Sequence, residues 1–280
     1  MKHLLQIFGI VTLVVGSFIY SEEVATTAKL SDELLNEIKA RKVEYKVKSI
    51  EAIIEDGTII PGKNGKQVDV KKSYKNMKEI GYFNEKLLVY KYLSVKEPLN
   101  KNMDKYIISG NKNEKSISLI IKVGNNSNLN KLIGKLNEKK IKATFFVNSN
   151  FLENNNDLII GLINNGHTIG NLSNNGDYED NDFGWMKTII TNIGGQRYNY
   201  CLAEKKDQTI IDVCKSQKSY TIMPIMINKK PFINVKQTLT PGGILAFEYS
   251  EELNNEIENI INYITSKGYS IKSLEKHLKE

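Results

Sequence analysis

The chain has 280 residues, of which 40% are hydrophobic and 25% charged, and its formal net charge is +7. That composition excludes a disordered or fibrous polymer and leaves room for one large domain, or a medium domain plus a small one. The positive charge favours anionic surroundings, but no Lys/Arg block interleaved with aromatic residues occurs, so no nucleic acid partner is expected.

Met1-Lys2-His3 precedes an apolar run from Leu4 to Tyr20, which Ser21-Glu22-Glu23 closes. At ~1.5 Å per residue a helix of this length spans roughly 25 Å, slightly less than a hydrocarbon core of about 30 Å. Lysine before the run and acids after it orient the bulk of the chain outside the cytoplasm. Residues 1–21 therefore read as a signal anchor, with a cleaved signal peptide near Gly16-Ser17 as the alternative. The expected location is a single-pass cell-membrane protein, or a secreted one. Residues 22–45 read as a stalk in which Ser31 caps a short helix carrying Leu34, Leu35 and Ile38 on one side.

Residues 46–112 read as a small α+β module. Ile50, Ala52 and Ile54 alternate with polar positions, Asp56-Gly57 supplies a hairpin turn, and Thr58-Ile59-Ile60 resumes the strand. Ser73–Ile80 has helical spacing with Met77 and Ile80 inward and stops at Gly81, and Leu87–Leu93 reads as a strand. Nothing in this segment carries a chemical signature.

From Ile117 onward strands and helices alternate. Ser118–Val123, Ala143–Val147, Thr168–Asn171, Tyr220–Met223, Ile244–Phe247 and Tyr269–Ile271 read as strands. Helices are expected around Leu129–Leu136, Asp157–Asn164, Asp207–Ser216 and Glu252–Lys267, the last stopping at Gly268, with another after Ser273. Repeated β–α units of this length predict a parallel sheet or barrel with helices outside, and chemistry at the carboxy ends of the strands. Cys201 and Cys214 are the only cysteines; they can form a disulfide worth roughly 3 kcal/mol, or stay as two buried thiols. Neither has a neighbouring histidine to complete a zinc site.

Ile141–Phe151 (IKATFFVNSNF), Leu158–Asn171 (LIIGLINNGHTIGN), Gly242–Glu248 (GGILAFE) and Ile260–Leu274 together resemble the polysaccharide deacetylase (NodB-homology) family. The resemblance covers about residues 115–278. It implies an α/β fold, a distorted (β/α) barrel over 113–280, and removal of acetyl groups from chitin-like or peptidoglycan sugars. Members of that family hold a divalent metal with one Asp and two His, use a second Asp as base, and protonate the leaving amine with a late His.

The aligned positions here carry other chemistry. Lys122 and Val123 stand where two aspartates end the first strand, Leu172 and Gly176 where the two histidines follow the glycine–asparagine turn, and Glu248 where the late histidine falls. The chain has three histidines, His3, His167 and His277, too scattered to form a two-histidine metal site. The resemblance makes His167 a structural turn residue. No catalytic residue, metal or other cofactor is expected. The candidate pocket is Lys122, Asn171, Ser173, Asp177 and Glu248, with a Lys122–Glu248 ion pair replacing the metal.

Gly176–Asp182 (GDYEDND) packs Asp177, Glu179, Asp180 and Asp182 into one segment, which reads as a solvated loop because the EF-hand spacing is missing. Trp185 reads as a core residue, with stacking on a sugar as the alternative. The expected role is a non-catalytic module that binds cell-wall glycan or an envelope protein. An active deacetylase with an unconventional carboxylate site is the alternative.

Overall fold

The computed structural model describes residues 11, 14–21, 33–124, 128–173, 178, 180–194 and 199–280. The chain divides into two compact units, residues 1–49 with 64–94, and residues 50–63 with 95–280. Most of the predicted membrane run and the Ser31 cap lie outside the described residues. No helix among the described residues is long and apolar enough to cross a membrane.

In the smaller unit, residues 33–41 form helix α1. Strand β3 (Gly65–Val68) pairs antiparallel with β4 (Tyr90–Leu93), and helix α2 (Val70–Met77) lies between them in sequence. Asp69 caps α2 by accepting the Lys72 N–H at 3.1 Å, and Gly81 adopts φ +74° beyond its end. The core is Leu34, Ile38, Val68 and Met77. The predicted stalk is thus corrected: helical spacing buries Leu34 and Ile38 in this core instead of leaving a solvated spacer. Ile80, expected inward, is exposed because α2 ends at Met77, a turn earlier than predicted.

The larger unit is built on one sheet. Its parallel centre comprises β6 (Ser116–Lys122), β7 (Thr144–Val147), β8 (Thr168–Asn171), β9 (Tyr200–Leu202), β10 (Tyr220–Ile222), β11 (Ile225–Ile227) and β12 (Ile244–Glu248). The order β10-β9-β8-β7-β6-β12-β11 places β12 beside β6, and β13 (Ser270–Ile271) also pairs with β6. The connecting helices are α3 (Asn130–Glu138), α4 (Ser149–Asn154), α5 (Asn156–Asn164), α6 (Asp180–Gly194), α7 (Gln208–Ser216), α8 (Pro231–Thr238), α9 (Glu251–Ser266) and α10 (Leu274–His277).

The sheet curls without closing: among the described residues β11 and the hairpin at its other end do not pair. That hairpin is β1 (Ile53–Glu55) and β2 (Thr58–Ile60), turned at Asp56 and Gly57, both at positive φ as a two-residue turn with matching twist requires. β2 pairs with β5 (Tyr106–Ile107), which pairs with β10. The expected boundary at residue 112 therefore shifts. Residues 50–63 and 95–112 belong to the larger unit, since the backbone groups of β2 and β5 complete its sheet. The expected distorted (β/α) barrel takes the form of a curled, open half-barrel sheet.

Alternation along the strands sorts two cores. Ile117, Leu119, Ile121 and Val123 face the helices together with Phe145, Val147, Leu245, Phe247, Ile257 and Ile260. Ile120, Phe146, Leu202, Ile222 and Ala246 face the inside of the curl with Ile59 and Ile107. Gly170 makes room there: a Cβ on it would lie 2.4 Å from the Phe146 ring. The cysteines form a disulfide linking β9 to α7, buried beside Tyr178 and Phe183.

Candidate functional site

Parallel registry lines up the carboxy ends of the central strands. Glu248 is opposite Lys122, Lys122 opposite Phe146, Val147 opposite Asn171, and Asn171 opposite Cys201. Period-two alternation puts Lys122 on the inner face with Ile120, and Glu248 on the inner face with Ala246. Val123 points the other way and is buried in the helix-side core.

The Lys122 ammonium reaches Glu204, two residues past β9, at 2.5 Å. Both side chains are partly open to water, with relative exposures of 31% and 49%. The expected Lys122–Glu248 pair is thereby corrected: the two are strand neighbours, but the lysine spans the mouth toward β9, and Glu248 is exposed.

The turn after β8 is fastened at several points. Asn171 is buried; its Oδ1 accepts the Ser173 N–H at 2.7 Å and its amide donates to Phe183 O at 3.2 Å. Ser173 is buried at φ +56°, and its Oγ donates to Asp182 Oδ2 at 3.0 Å. Leu172 packs against the inner core. The Tyr178 hydroxyl donates to Leu202 O at 2.7 Å and accepts the Leu202 N–H at 3.2 Å, tying this segment to β9. Burial pushes its phenol well above the ordinary range, so it is a neutral structural link.

Lys122, Asn171, Ser173 and Glu248 thus lie at one end of the sheet, but Asn171 and Ser173 spend their polar atoms on the turn and on α6. Gly176 and Asp177 lie outside the described residues. The expected solvated acidic loop is corrected in its second half. Asp180 and Asp182 open α6, and the Asp182 carboxylate is bonded to Ser173. Trp185, expected in the core, is 39% exposed on α6, because Phe183, Met186 and Ile190 take that helix's buried stripe. Sequence reasoning missed Glu204 because the three-residue strand before it, Tyr200–Leu202, is too short to show periodicity.

Both described histidines are structural. His167 is buried beneath Phe145; its Nδ1 accepts the Ala143 N–H at 3.2 Å and its Nε2 lies 3.2 Å from Asn137 Oδ1. Burial holds its pKa down at about 4. His277 is buried with Nε2 2.9 Å from Gly242 O and Nδ1 3.3 Å from Ser116 Oγ, and burial lowers its pKa too. Among the described residues no three His, Cys, Asp or Glu side chains converge as a metal would require. A divalent cation of the family's type does not fit these residues. Lys122 brings a positive charge, and Val123 and Leu172 bring no donor atom.

A curled parallel sheet with helices outside carries its polar residues at the strand ends, and residues 109–221 match the polysaccharide deacetylase family model. A relative over most of both chains is the uncharacterized protein YlxY of Bacillus subtilis (strain 168), 27% identical over 279 residues, covering 92% of this chain and 88% of its own. The fold is shared with wild-type BA3943 of Bacillus anthracis, described as a CE4 family pseudoenzyme. It is 22% identical, has a TM-score of 0.67, and the match covers 88% of this chain and 95% of that one. Bacillus subtilis PdaA, a family 4 carbohydrate esterase, shares it over 61% of this chain and 84% of its own, at 20% identity and a TM-score of 0.54. A mutant of BA3943 is described as having restored enzymatic activity.

Proposed function

We propose that this protein is a non-catalytic relative of the polysaccharide deacetylases, held on the outer face of a bacterial membrane, whose larger unit binds acetylated wall glycan. The observation that carries the reading is the Lys122–Glu204 ion pair at the mouth of the sheet. It stands where the family resemblance calls for an acidic base and a metal, and it neutralises the mouth without either. Val123, turned into the helix-side core, cannot ligate from where it points. The description of BA3943 as a pseudoenzyme of the same fold supports the reading, and its restored mutant suggests the positive control.

Metal content of the purified protein and acetate release from acetylated peptidoglycan and chitin oligomers test it together. The expected result is no stoichiometric metal and no acetate, with glycan retention in a pull-down. A Lys122→Asp, Leu172→His, Gly176→His variant is expected to gain zinc, because it puts one carboxylate on the inner face of the strand ends and two imidazoles at the aligned positions. Stoichiometric zinc, cobalt, nickel or manganese in the native protein, with acetate release, would sink the proposal. Capture of an envelope protein instead of glycan would leave the site non-catalytic and reassign its ligand.

A further inference from the structure

The charge of the chain is concentrated in the smaller unit. Residues 33–49 and 64–94 carry twelve basic and six acidic side chains, a net of +6. The larger unit, four times as long, carries a net of +2. Much of that excess surrounds a cleft of about 480 Å³ lined by α1's continuation, β3, the start of α2 and β4.

Lys42, Lys46, Lys71 and Lys91 stand around it, with Val43, Val68 and Val70 supplying apolar wall and Gln67 a neutral amide. All four lysines are exposed, and none is in an ion pair among the described residues. Gln67 and Lys91 are register partners of β3 and β4, so the strand pairing itself brings Lys91 to the cleft. The one acid in the lining, Asp69, is already engaged, accepting the Lys72 N–H and lying 4.0 Å from the Lys72 ammonium.

We propose that this cleft binds a phosphate-bearing anion, held between the ammonium groups of Lys42, Lys46, Lys71 and Lys91. Four like charges around one concavity repel each other when it is empty, and an anion between them relieves that repulsion. The second observation is the backbone. Val70 and Lys71 open α2, so their N–H groups have no intrahelical acceptor and add positive potential at the cleft wall. Lysine fits a tetrahedral oxyanion approached from several sides, whereas a planar carboxylate is matched better by an arginine fork, and the lining has no arginine. It has no aromatic ring either, which leaves a nucleobase nothing to stack on. The ligand class is therefore a phosphomonoester or phosphodiester group, from a soluble polyanion or a lipid headgroup. The proposal stands independently of the reading of the larger unit.

The test is titration of the full chain with sodium tripolyphosphate, in parallel with co-sedimentation on phosphatidylglycerol vesicles and on phosphatidylcholine vesicles. Two variants are compared. One replaces the cleft lysines (Lys42→Gln, Lys46→Gln, Lys71→Gln, Lys91→Gln). The other removes equal charge elsewhere (Lys101→Gln, Lys112→Gln, Lys139→Gln, Lys229→Gln). All these side chains are exposed, so both variants should keep the native circular dichroism.

The expected result is that native protein binds tripolyphosphate, weakening as salt rises, and that the cleft variant loses about tenfold or more in affinity while the control changes little. Loss of phosphatidylglycerol binding in the cleft variant alone would support the proposal and assign the headgroup as the source. Equal loss in both variants, or no binding to tripolyphosphate or phosphatidylglycerol, would overturn it. Tighter binding of single-stranded DNA than of tripolyphosphate, lost in the cleft variant, would also overturn it in favour of nucleic acid.

Discussion

The most consequential residue of the site is Lys122, yet its ion pair is not what stabilises the fold. An exposed pair of this kind contributes about 0–1 kcal/mol, so Glu204→Gln should lower stability by less than about 1 kcal/mol. The buried histidines act more strongly. His167 has its pKa lowered from 6.5 to about 4, so the unfolded chain binds a proton in that window and the folded chain does not. Stability is then fully present above about pH 6.5 and declines as pH falls toward 4, by roughly 3 kcal/mol at about 1.36 kcal/mol per unit. Protonating Nδ1 also removes the acceptor that Ala143 N–H uses. Urea melts at pH 7 and pH 5 should show this decline, and His167→Gln should flatten it; an equally steep decline in the variant would assign it to His277. Glu114 acts lower down. Hydrogen bonds from Lys272 and Lys63 hold its pKa at about 2, so its contribution fades only as pH falls below about 4.5.

At the scale of elements, two contacts decide how the curl holds its shape. Gly170 lets β8 pass the Phe146 ring, and any side chain there must displace a fully buried aromatic. Gly170→Ala should cost about 1–3 kcal/mol, read as a shifted denaturation midpoint with unchanged slope. The Cys201–Cys214 bridge closes a 13-residue separation and holds α7 on β9. Its entropic effect on the unfolded chain is roughly 3 kcal/mol, so the double alanine variant should melt several degrees lower. Alkylation before and after reduction checks the bond itself. The strands β6, β7, β8 and β12 and helices α5, α7 and α9 could be read from the sequence to within a residue or two, because their apolar periodicity is long and their caps are plain. β9, β11, α6 and α8 could not. The strands have three residues each, and α6 begins in a run of acids that reads as loop.

At the scale of the molecule, the order of burial differs from the order of the sequence. The larger unit takes residues 50–63 from before the smaller unit's second segment and resumes at residue 95. A fragment starting at residue 113 would lack β1, β2 and β5, expose the edge of β10, and strip Ile59, Leu99 and Ile107 from the inner core. Burial of three such side chains is worth on the order of 5 kcal/mol. Residues 113–280 alone should therefore aggregate or melt far below the full chain. A fragment that melts cooperatively at the same temperature would contradict this. Chelator tests the proposed lack of a metal: the melting temperature should be the same in its presence, and a drop would overturn that proposal.

The sequence by itself determined the α/β class and the identity of the residues at the positions aligned with the family's metal ligands. These follow from strand and helix periodicity and from residue identity, which need no partner. Only the tertiary structure decided that Lys122 pairs with Glu204, that Asn171 and Ser173 bond to the start of α6, and that the two cysteines meet. It also gathered four lysines from separate segments of the smaller unit around one cleft. Each of those facts depends on strand order and register, which bring residues distant in the chain within a few ångströms, and local pattern carries no information about that distance.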